Sequence, residues 1–376
     1  MTGPLGCERG PLGAGGCYVE GVSASSYILA GIDEAGYGPL LGPLCVGLTV
    51  FEAPAASDGA AQLDLWKLLE TGVCREAGRG GRHDARGRIA VADSKQLKLS
   101  SSVKTTHPLV HLERGVLAMV MAMRAAAAGG ESDAAAMTDD WLLEQLGTEW
   151  PGANWYQGDA VAMPFANDEG LLRIATAQLR RAMSGAGVAL HAMRCRVVGE
   201  REFNKLAREQ GGKAATTGAA LREHLRYVWE RWGLAAADGS GRLGIACDRQ
   251  GGRAMYKEFL ESCLPGATVS IVEESETRSR YVVEEETAEG RRRAGVSFLV
   301  EGEQGHLPIA LASMIAKLVR ELAMARFNRA WGEEARKRAG IELKPTAGYA
   351  TDGGRWLHDA REVLTKAERE ALVRVV

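Results

Sequence analysis

The chain has 376 residues, of which 46% are hydrophobic and 25% are charged, and its formal net charge at pH 7 is −2. This length and composition are those of a globular protein with one large domain or two, and no apolar run approaches the roughly 20 residues that a membrane span needs. The nearly neutral charge argues against a protein that coats nucleic acid nonspecifically, but it is compatible with an enzyme that has a local basic groove.

The first 25 residues are rich in glycine and lack the basic end and apolar block of a signal peptide. We expect them to form a flexible leader. The seven cysteines are scattered, form no C-x-x-C pair and do not cluster with histidine, as is typical of reduced thiols. The sequence therefore predicts a cytoplasmic protein, and the absence of an obvious heptad seam favours a monomer.

Strand and helix patterns alternate along the chain. Apolar runs predict strands at 27–32 and 44–51, joined by the loop 36–43, and further strands at 190–198, 242–248, 266–274 and 296–303. Helical periodicity begins at Leu109, covers most of 130–187, returns over 202–233 and ends in a long helix after Pro308. The alternation predicts an α/β protein, and the short loop between the first two strands predicts a mixed sheet.

Two separate apolar runs end in acids. The run LAGIDE ends in Asp33 and Glu34, and LGIACD ends in Asp248. Because an α/β fold gathers chemistry from distant segments at the ends of its strands, these acids are candidates for one site. Several carboxylates at one edge of a sheet repel one another unless a cation lies between them, and oxygen ligands suit Mg²⁺ or Mn²⁺ better than zinc.

A further acid, Glu321, lies on the long C-terminal helix. Lys317 and Ser313 precede it by four and eight residues, so the three share one helical face. From spacing alone two interpretations stay open for the acids. They form a metal site, or each strand-end acid is a solvated cap and Glu321 pairs with Lys317 or Arg320 on the helix surface.

Six segments, in order, resemble motifs of the type 2 ribonucleases H (ribonuclease HII). GIDEAGYGPLLGPL (31–44) resembles the family's G-x-D-E-A-G-R-G-P-x-x-G-P, and PIALASMIAKLVRELAM (308–324) resembles A-A-S-I-x-A-K-V-x-R-D-x-x-M. Four shorter segments agree with the family in order: ADSKQL (92–97), EFNKL (202–206), IACD (245–248) and AGYATDGGRWL (347–357). The six matches, in order, are spread over most of the chain outside residues 1–25 and about 105–187.

The resemblance implies a ribonuclease H-like fold, with a mixed five-stranded sheet and flanking helices. It implies a catalytic domain over 26–330, interrupted by a helical insertion at 105–187, and a C-terminal helical extension at 331–376 that packs on it. It also implies a monomeric enzyme that uses Mg²⁺ or Mn²⁺ in a two-metal reaction. The implied substrate is the RNA strand of an RNA–DNA hybrid, or a ribonucleotide embedded in duplex DNA.

The family's site residues can be carried over by position. The resemblance implies that the catalytic metal ligands are Asp33, Glu34 and Asp248, with Glu321 at the place of the fourth acid. Packing or solvated roles stay open for the lysines and the tyrosine among the implied substrate contacts. The implied substrate contacts are the loop Gly36, Tyr37 and Gly38, then Ser94 and Lys95, Lys317, and Tyr349, which corresponds to the tyrosine that stacks on the sugar.

Two positions depart from the family motifs. Tyr37 stands where the family has arginine, so it cannot neutralise a phosphate, and Glu321 stands where the family has aspartate, one methylene shorter. Three functions therefore stay open: the ribonuclease, a nucleic-acid-binding relative with weakened catalysis, and a nuclease of the same fold that cuts DNA structures. The insertion contains three tryptophans, Trp141, Trp150 and Trp155. They either stack on bases or pack in the core, and packing is favoured.

Overall fold

The structure is a computed structural model that describes residues 26–55, 63–78, 84, 86–100, 105–128, 137–235, 242–250 and 253–375. The leader expected at 1–25 lies outside these residues. The strands are β1 Ser26–Ala35, β2 Leu44–Pro54, β3 Val73–Cys74, β4 Ile89–Ala90, β5 Ala189–Val198, β6 Leu243–Asp248, β7 Thr268–Glu274, β8 Arg278–Thr287 and β9 Gly290–Leu299.

Helices connect and cover these strands. They are α1 Leu65–Leu68, α2 Ser94–Leu97, α3 Val110–Ala127, α4 Asp139–Gln145, α5 Glu169–Ala186, α6 Glu200–Gln210, α7 Lys213–Trp232, α8 Lys257–Cys263, α9 Gly302–Gly305, α10 Leu307–Ala339, α11 Ala350–Asp359 and α12 Lys366–Leu372, with a 3₁₀ turn at Asn154–Tyr156. None of the helices in the described part of the chain is long and apolar enough to cross a membrane.

Among the described residues, seven strands form one mixed sheet in the order β5-β2-β1-β6-β9-β8-β7, and β3 and β4 form a separate pair. Strands β1, β6 and β9 are parallel, whereas β2, β5, β7 and β8 join by antiparallel pairing. The carboxyl ends of the three parallel strands therefore meet at one edge of the sheet. The predicted α/β class, with a mixed sheet and flanking helices, is confirmed.

The number of strands differs from the five that the resemblance implies. Strand β8, RSRYVVEEET, escaped prediction because its charges interrupt any apolar run. In the sheet these charges are compensated by the neighbouring strand, where Arg291 contacts Glu284 at 2.6 Å. The strand predicted at 296–303 ends at Leu299, and its last residues form the short helix α9 instead.

Helices cover both faces of the sheet. Helices α3, α5 and α10 pack with β2 and β5 on one face, and α6, α7 and α8 pack on the other. The inserted tryptophans pack in these cores, and Trp155 is buried against Trp331. The division of the chain at 105–187 and 331–376 stays a prediction, although α10 runs through residue 330 without a break.

Helix α10 lies very close to β1 and β2. A Cβ atom on Gly31 would lie 2.1 Å from the carbonyl carbon of Pro308, and one on Gly47 would lie 2.2 Å from the carbonyl oxygen of Ala312. The Thr49 hydroxyl also donates to the Pro308 carbonyl at 2.8 Å. Glycine at these two positions lets the helix rest directly on the strands, and this brings Ala312, the residue before Ser313, against Gly47, the ladder partner of Asp33.

Candidate active site

Asp33 and Asp248 lie side by side at the carboxyl edge of the sheet. Ile32 pairs with Cys247 in the parallel register, so the residues that follow them, Asp33 and Asp248, are level on adjacent strands. Parallel strands are about 4.8 Å apart. Strand alternation directs both aspartates to the α10 face, the face that Gly31 presents to the helix. Two segments more than 200 residues apart in sequence thus contribute acids to one place.

Glu34 is a third acid at this edge of the sheet, but its side chain starts from the opposite face. Its neighbour in the ladder is Val46, which faces the α7 side of the sheet, so alternation turns the Glu34 side chain away from Asp33. The Glu34 amide nevertheless donates to the Asp33 carboxylate at 2.6 Å, and the negative charge of Asp248 acts on both residues. The end of the strand, where Gly36 follows with φ of 95°, is where the two acids approach a common site.

A fourth acid, Glu303, belongs to the same cluster. It lies on α9, directly after the parallel strand β9, and its charge acts on both Asp33 and Asp248. The neighbouring Gly302 amide donates to the Asp248 carboxylate at 3.1 Å. The Glu303 side chain is 7% exposed, and its buried Oε2 has no hydrogen-bond partner among the described residues. We call Asp33, Glu34, Asp248 and Glu303 the acid cluster.

Sequence reasoning missed Glu303. Its only local signal was its place at the end of the strand predicted at 296–303. That strand had to be known as parallel to β6 before its end could be assigned to the same edge.

Burial and mutual repulsion raise the pKa values of Asp33, Glu34 and Asp248. Burial is the main cause, and neighbouring acids add to it: the pKa of Asp33 is well above its usual range, that of Glu34 rises to about 8 and that of Asp248 to about 6. Their negative charges are therefore destabilised by burial and by one another. A bound cation would remove this penalty.

The positive charge of Lys95 acts on Glu34 and Asp248 of the acid cluster. Partial burial lowers the pKa of Lys95, but the carboxylates of Asp93, Glu303, Asp33 and Asp248 raise it, and the net shift is upward. Asp93 caps α2 by accepting from the Lys95 amide at 2.9 Å.

Ser94, predicted as a substrate contact, is buried against α10. The Ser94 hydroxyl accepts a hydrogen bond from the Ser313 hydroxyl at 2.8 Å, and the Ser94 amide donates to the Ser313 hydroxyl oxygen at 3.3 Å. These bonds hold the start of α2 against the long helix and so fix the position of Lys95.

Glu321 lies in a different electrostatic environment. Its Oε1 accepts from Lys98 Nζ at 2.7 Å and from Lys317 Nζ at 2.8 Å. Although burial raises its pKa, the two ammonium groups outweigh that effect and lower it. The charges that act most strongly on Asp33 and Asp248 do not include Glu321. The structure thus brings three of the four predicted acids together and holds the fourth between two lysines.

Tyr349 lies beside this lysine-bound acid. Its ring is 47% exposed, and its centroid is 5.8 Å from Lys317 Nζ and 5.9 Å from the guanidinium carbon of Arg320. The predicted contacts Lys317 and Tyr349 therefore form one neighbourhood on α10 and at the start of α11. The roles of all the predicted site residues stay predictions.

The loop between β1 and β2 is held from beneath by buried arginines. Arg320, 1% exposed, donates to the carbonyls of Pro43, Leu41 and Ala347. The amides of Leu40 and Leu41 both donate to the Gly348 carbonyl, at 2.8 and 3.1 Å. A second arginine, Arg374, reaches the carbonyls of Gly36 and Tyr37. The half-buried Tyr37 and the exposed Gly38 form the outer part of this loop.

The acid cluster fits a hard divalent cation in its chemistry. It offers carboxylate oxygens only, one of them a buried orphan on Glu303, in a region where negative charge is destabilised. In the described part of the chain, however, no three Asp, Glu, His or Cys side chains already stand close enough to form a ligand shell.

Comparisons with known proteins give only distant similarities. No protein-family model matches the chain, and no curated protein matches it. A solved ribonuclease HII from Archaeoglobus fulgidus, in a complex with PCNA, is 12% identical over 93% of this chain and 94% of its own, with a TM-score of 0.37.

Two further solved structures are similarly distant. Ribonuclease H2 from Pyrococcus horikoshii OT3 is 13% identical over 92% of this chain and 96% of its own, with a TM-score of 0.39. Bst-RNase HIII, in complex with Mn²⁺, is 14% identical over 93% of this chain but only 66% of its own, with a TM-score of 0.39. Similarities this low assign no residue and no activity to the chain. The candidate site rests on the geometry described above.

Proposed function

We propose that the chain is a metal-dependent endonuclease that hydrolyses the RNA strand of RNA–DNA hybrids or ribonucleotides embedded in duplex DNA. One observation carries the proposal. Acids from three segments far apart in sequence converge at the carboxyl edge of the sheet, where their buried charges destabilise one another in the absence of a cation. The motif resemblance of the segments that contain Asp33, Glu34 and Asp248 directs the choice of substrate. The cytoplasmic and monomeric states predicted from the sequence stay predictions.

Asp33, Glu34 and Asp248 are the proposed ligands of Mg²⁺ or Mn²⁺. When bound, two such ions supply activation of the attacking water and stabilisation of the leaving oxygen. The protein contributes the fixed carboxylates, since β1 and β6 hold Asp33 and Asp248 on neighbouring strands. Glu303 and Glu321 are alternative fourth acids: Glu303 lies in the acid cluster, and Glu321 has the position that the motif implies.

Cationic and aromatic groups around the acid cluster are the proposed contacts to the substrate. Lys95 is exposed and its charge is stabilised by the acid cluster, so it can neutralise a phosphate next to the cut. Lys317 is held by Glu321 under the ring of Tyr349, an arrangement in which the exposed ring can stack on a sugar while the ammonium group faces the phosphate backbone.

A cleavage assay with three labelled duplexes tests the function. The substrates are a full RNA–DNA hybrid, a DNA duplex with one ribonucleotide, and plain DNA, each in Mg²⁺ and in Mn²⁺. We expect cutting at ribonucleotides, and we expect Asp248→Asn to reduce the rate on the order of 100-fold or more. Glu258→Gln, an exposed acid on α8 on the other face of the sheet, is the matched control. Equal rates for Asp248→Asn and the control would refute the proposal.

The fourth acid can be identified by metal binding as well as by rate. Calorimetric titration of Mn²⁺ into Glu303→Gln and Glu321→Gln separates the two candidates. If Glu303 is a ligand, Glu303→Gln weakens Mn²⁺ binding and Glu321→Gln does not. If Glu321 moves into the metal site and becomes a ligand when metal binds, the pattern reverses.

A binding protein with weakened catalysis is the second candidate. It is favoured by one observation, the engagement of Glu321 with Lys98 and Lys317 instead of with the acid cluster. Duplex binding in Ca²⁺, which blocks hydrolysis, distinguishes the two. Tight, salt-dependent binding without cleavage in Mg²⁺ or Mn²⁺ would identify the binding protein.

A further inference from the structure

The C-terminal segment Val373–Val375 is fastened to the loop Gly36–Pro43, which precedes β2. The Arg374 amide donates to the Leu40 carbonyl at 2.9 Å. On either side of it, Asn204 of α6 donates to the Val373 carbonyl at 2.8 Å and accepts from the Val375 amide at 2.7 Å. The buried Asn204 side chain thus anchors the tail by both of its polar atoms. The backbone of the tail therefore has a defined position under the loop.

The Arg374 side chain extends from this tail into the space beneath the loop. Its Nη1 donates to the Gly36 carbonyl at 2.6 Å and to the Gly42 carbonyl at 3.4 Å, and its Nη2 donates to the Tyr37 carbonyl at 3.1 Å. The guanidinium carbon lies 3.6 Å from the centroid of the Phe203 ring. The side chain is 1% exposed, so this charged group is enclosed between a ring and the loop backbone.

These hydrogen bonds determine which way the peptide groups of the loop face. In a trans peptide the carbonyl of one residue and the amide of the next point in opposite directions. Because Arg374 draws the carbonyls of Gly36 and Tyr37 inward, the amides of Tyr37 and Gly38 point outward. No hydrogen bond between described residues uses either amide. Two adjacent outward amides form an anion-binding concavity.

Arg320 differs from Arg374 in this respect. It binds the carbonyls of Leu41 and Pro43, but the amide that follows Leu41, on Gly42, is already occupied by Glu200 at 3.2 Å. Arg320 thus closes the second half of the loop. The Tyr37 and Gly38 amides, by contrast, follow carbonyls that Arg374 binds and have no hydrogen-bond partner among the described residues.

We propose that Arg374 is a positioning residue that holds the Tyr37 and Gly38 amides toward a phosphate of the bound nucleic-acid backbone. This inference rests on the proposed function, because it needs a nucleic-acid substrate at the loop. The positive charge behind the two peptide groups strengthens their amides as donors. At position 37 the related motif has arginine, whereas in this chain Tyr37 carries no charge and a guanidinium from a distant segment, that of Arg374, lies behind the Gly36 and Tyr37 peptide groups.

Duplex binding in Ca²⁺ provides the first test. We expect Arg374→Met to weaken binding of the RNA–DNA hybrid about tenfold or more while Mn²⁺ affinity stays unchanged, with partial recovery in Arg374→Lys, which keeps the charge but has one donor group. Arg355→Met, which removes a guanidinium from the half-buried Arg355 on α11, is the matched control. Urea unfolding confirms that each variant is folded before its affinity is compared.

Methylphosphonate substitution distinguishes orientation of the amides from a general structural effect. A single uncharged phosphate next to the cut should weaken wild-type binding, and the same substitution should have little further effect on Arg374→Met. The inference is overturned if no such substitution weakens the wild-type protein, or if it weakens wild type and Arg374→Met equally. The wild-type arm needs no variant to fold. Failure of the proposed function gives a different result, a wild-type protein that neither binds nor cuts the hybrid.

Discussion

The contact between α10 and β1 leads to a stability prediction that does not depend on function. In Gly31→Ala the new Cβ would lie 2.1 Å from the Pro308 carbonyl carbon and 2.3 Å from the Ile309 nitrogen, whereas ordinary contacts begin near 3.4 Å. Both obstacles are backbone atoms, so the first turn of the helix must move by more than an ångström. Overpacking of this kind costs about 1–3 kcal/mol, and the cost here lies at the upper end because no flexible side chain can yield. Weakening of the Thr49–Pro308 hydrogen bond adds about 1 kcal/mol.

Urea unfolding of two alanine variants measures this cost. Gly244→Ala is the control, because Gly244 lies on the neighbouring strand β6 and its Cβ would have its nearest neighbours at 3.7 and 3.9 Å. Both substitutions bring the same backbone benefit of about 0.5–1 kcal/mol, which cancels in the comparison. We expect Gly31→Ala to be less stable than Gly244→Ala by about 4 kcal/mol. Equal stabilities would refute the argument that glycine is required for this helix–sheet contact.

Two further predictions concern buried charge and pH. Arg326 makes a bidentate pair with Asp139, with N–O distances of 2.7 and 2.8 Å, and both side chains are nearly inaccessible to solvent. Arg326→Met should therefore lower the free energy of unfolding in urea by about 3–5 kcal/mol. Arg329→Met, at the protein surface, should lower it far less. Burial lowers the pKa of His224, whose ring contacts the Val46 carbonyl, from 6.5 to about 4. The unfolded chain therefore binds the proton more readily than the folded chain does. Above pH 6.5 the contribution of the neutral His224 to the free energy of unfolding has its full value, and it falls as the pH decreases toward 4. His224→Gln should remove about 2–3 kcal/mol of the stability difference between pH 7 and pH 4.5, and an unchanged pH dependence would contradict the assignment.

Local sequence patterns determined much of the fold. Apolar runs located β1, β2, β5 and β6, and helical spacing located α7 and α10, because strands and helices have characteristic periods that need no knowledge of the partner. The same runs ended in Asp33, Glu34 and Asp248, so the acids at the strand ends could be named before their positions were known. Strand β8 could not be found in this way, because its charges are compensated only by Arg291 and its neighbours on β9.

Tertiary structure alone decided the composition of the candidate site. Glu303 joins the acid cluster because β9 is parallel to β6, and a parallel register between segments some 50 residues apart leaves no periodic signal in the sequence. Glu321 is held by Lys98, more than 200 residues away. Arg374 reaches Gly36 from the other end of the chain, where nothing in the local sequence indicates a buried guanidinium. Patterns along the chain record which faces are apolar, whereas pairings between distant charged groups depend on geometry that arises only when the sheet and its helices have assembled.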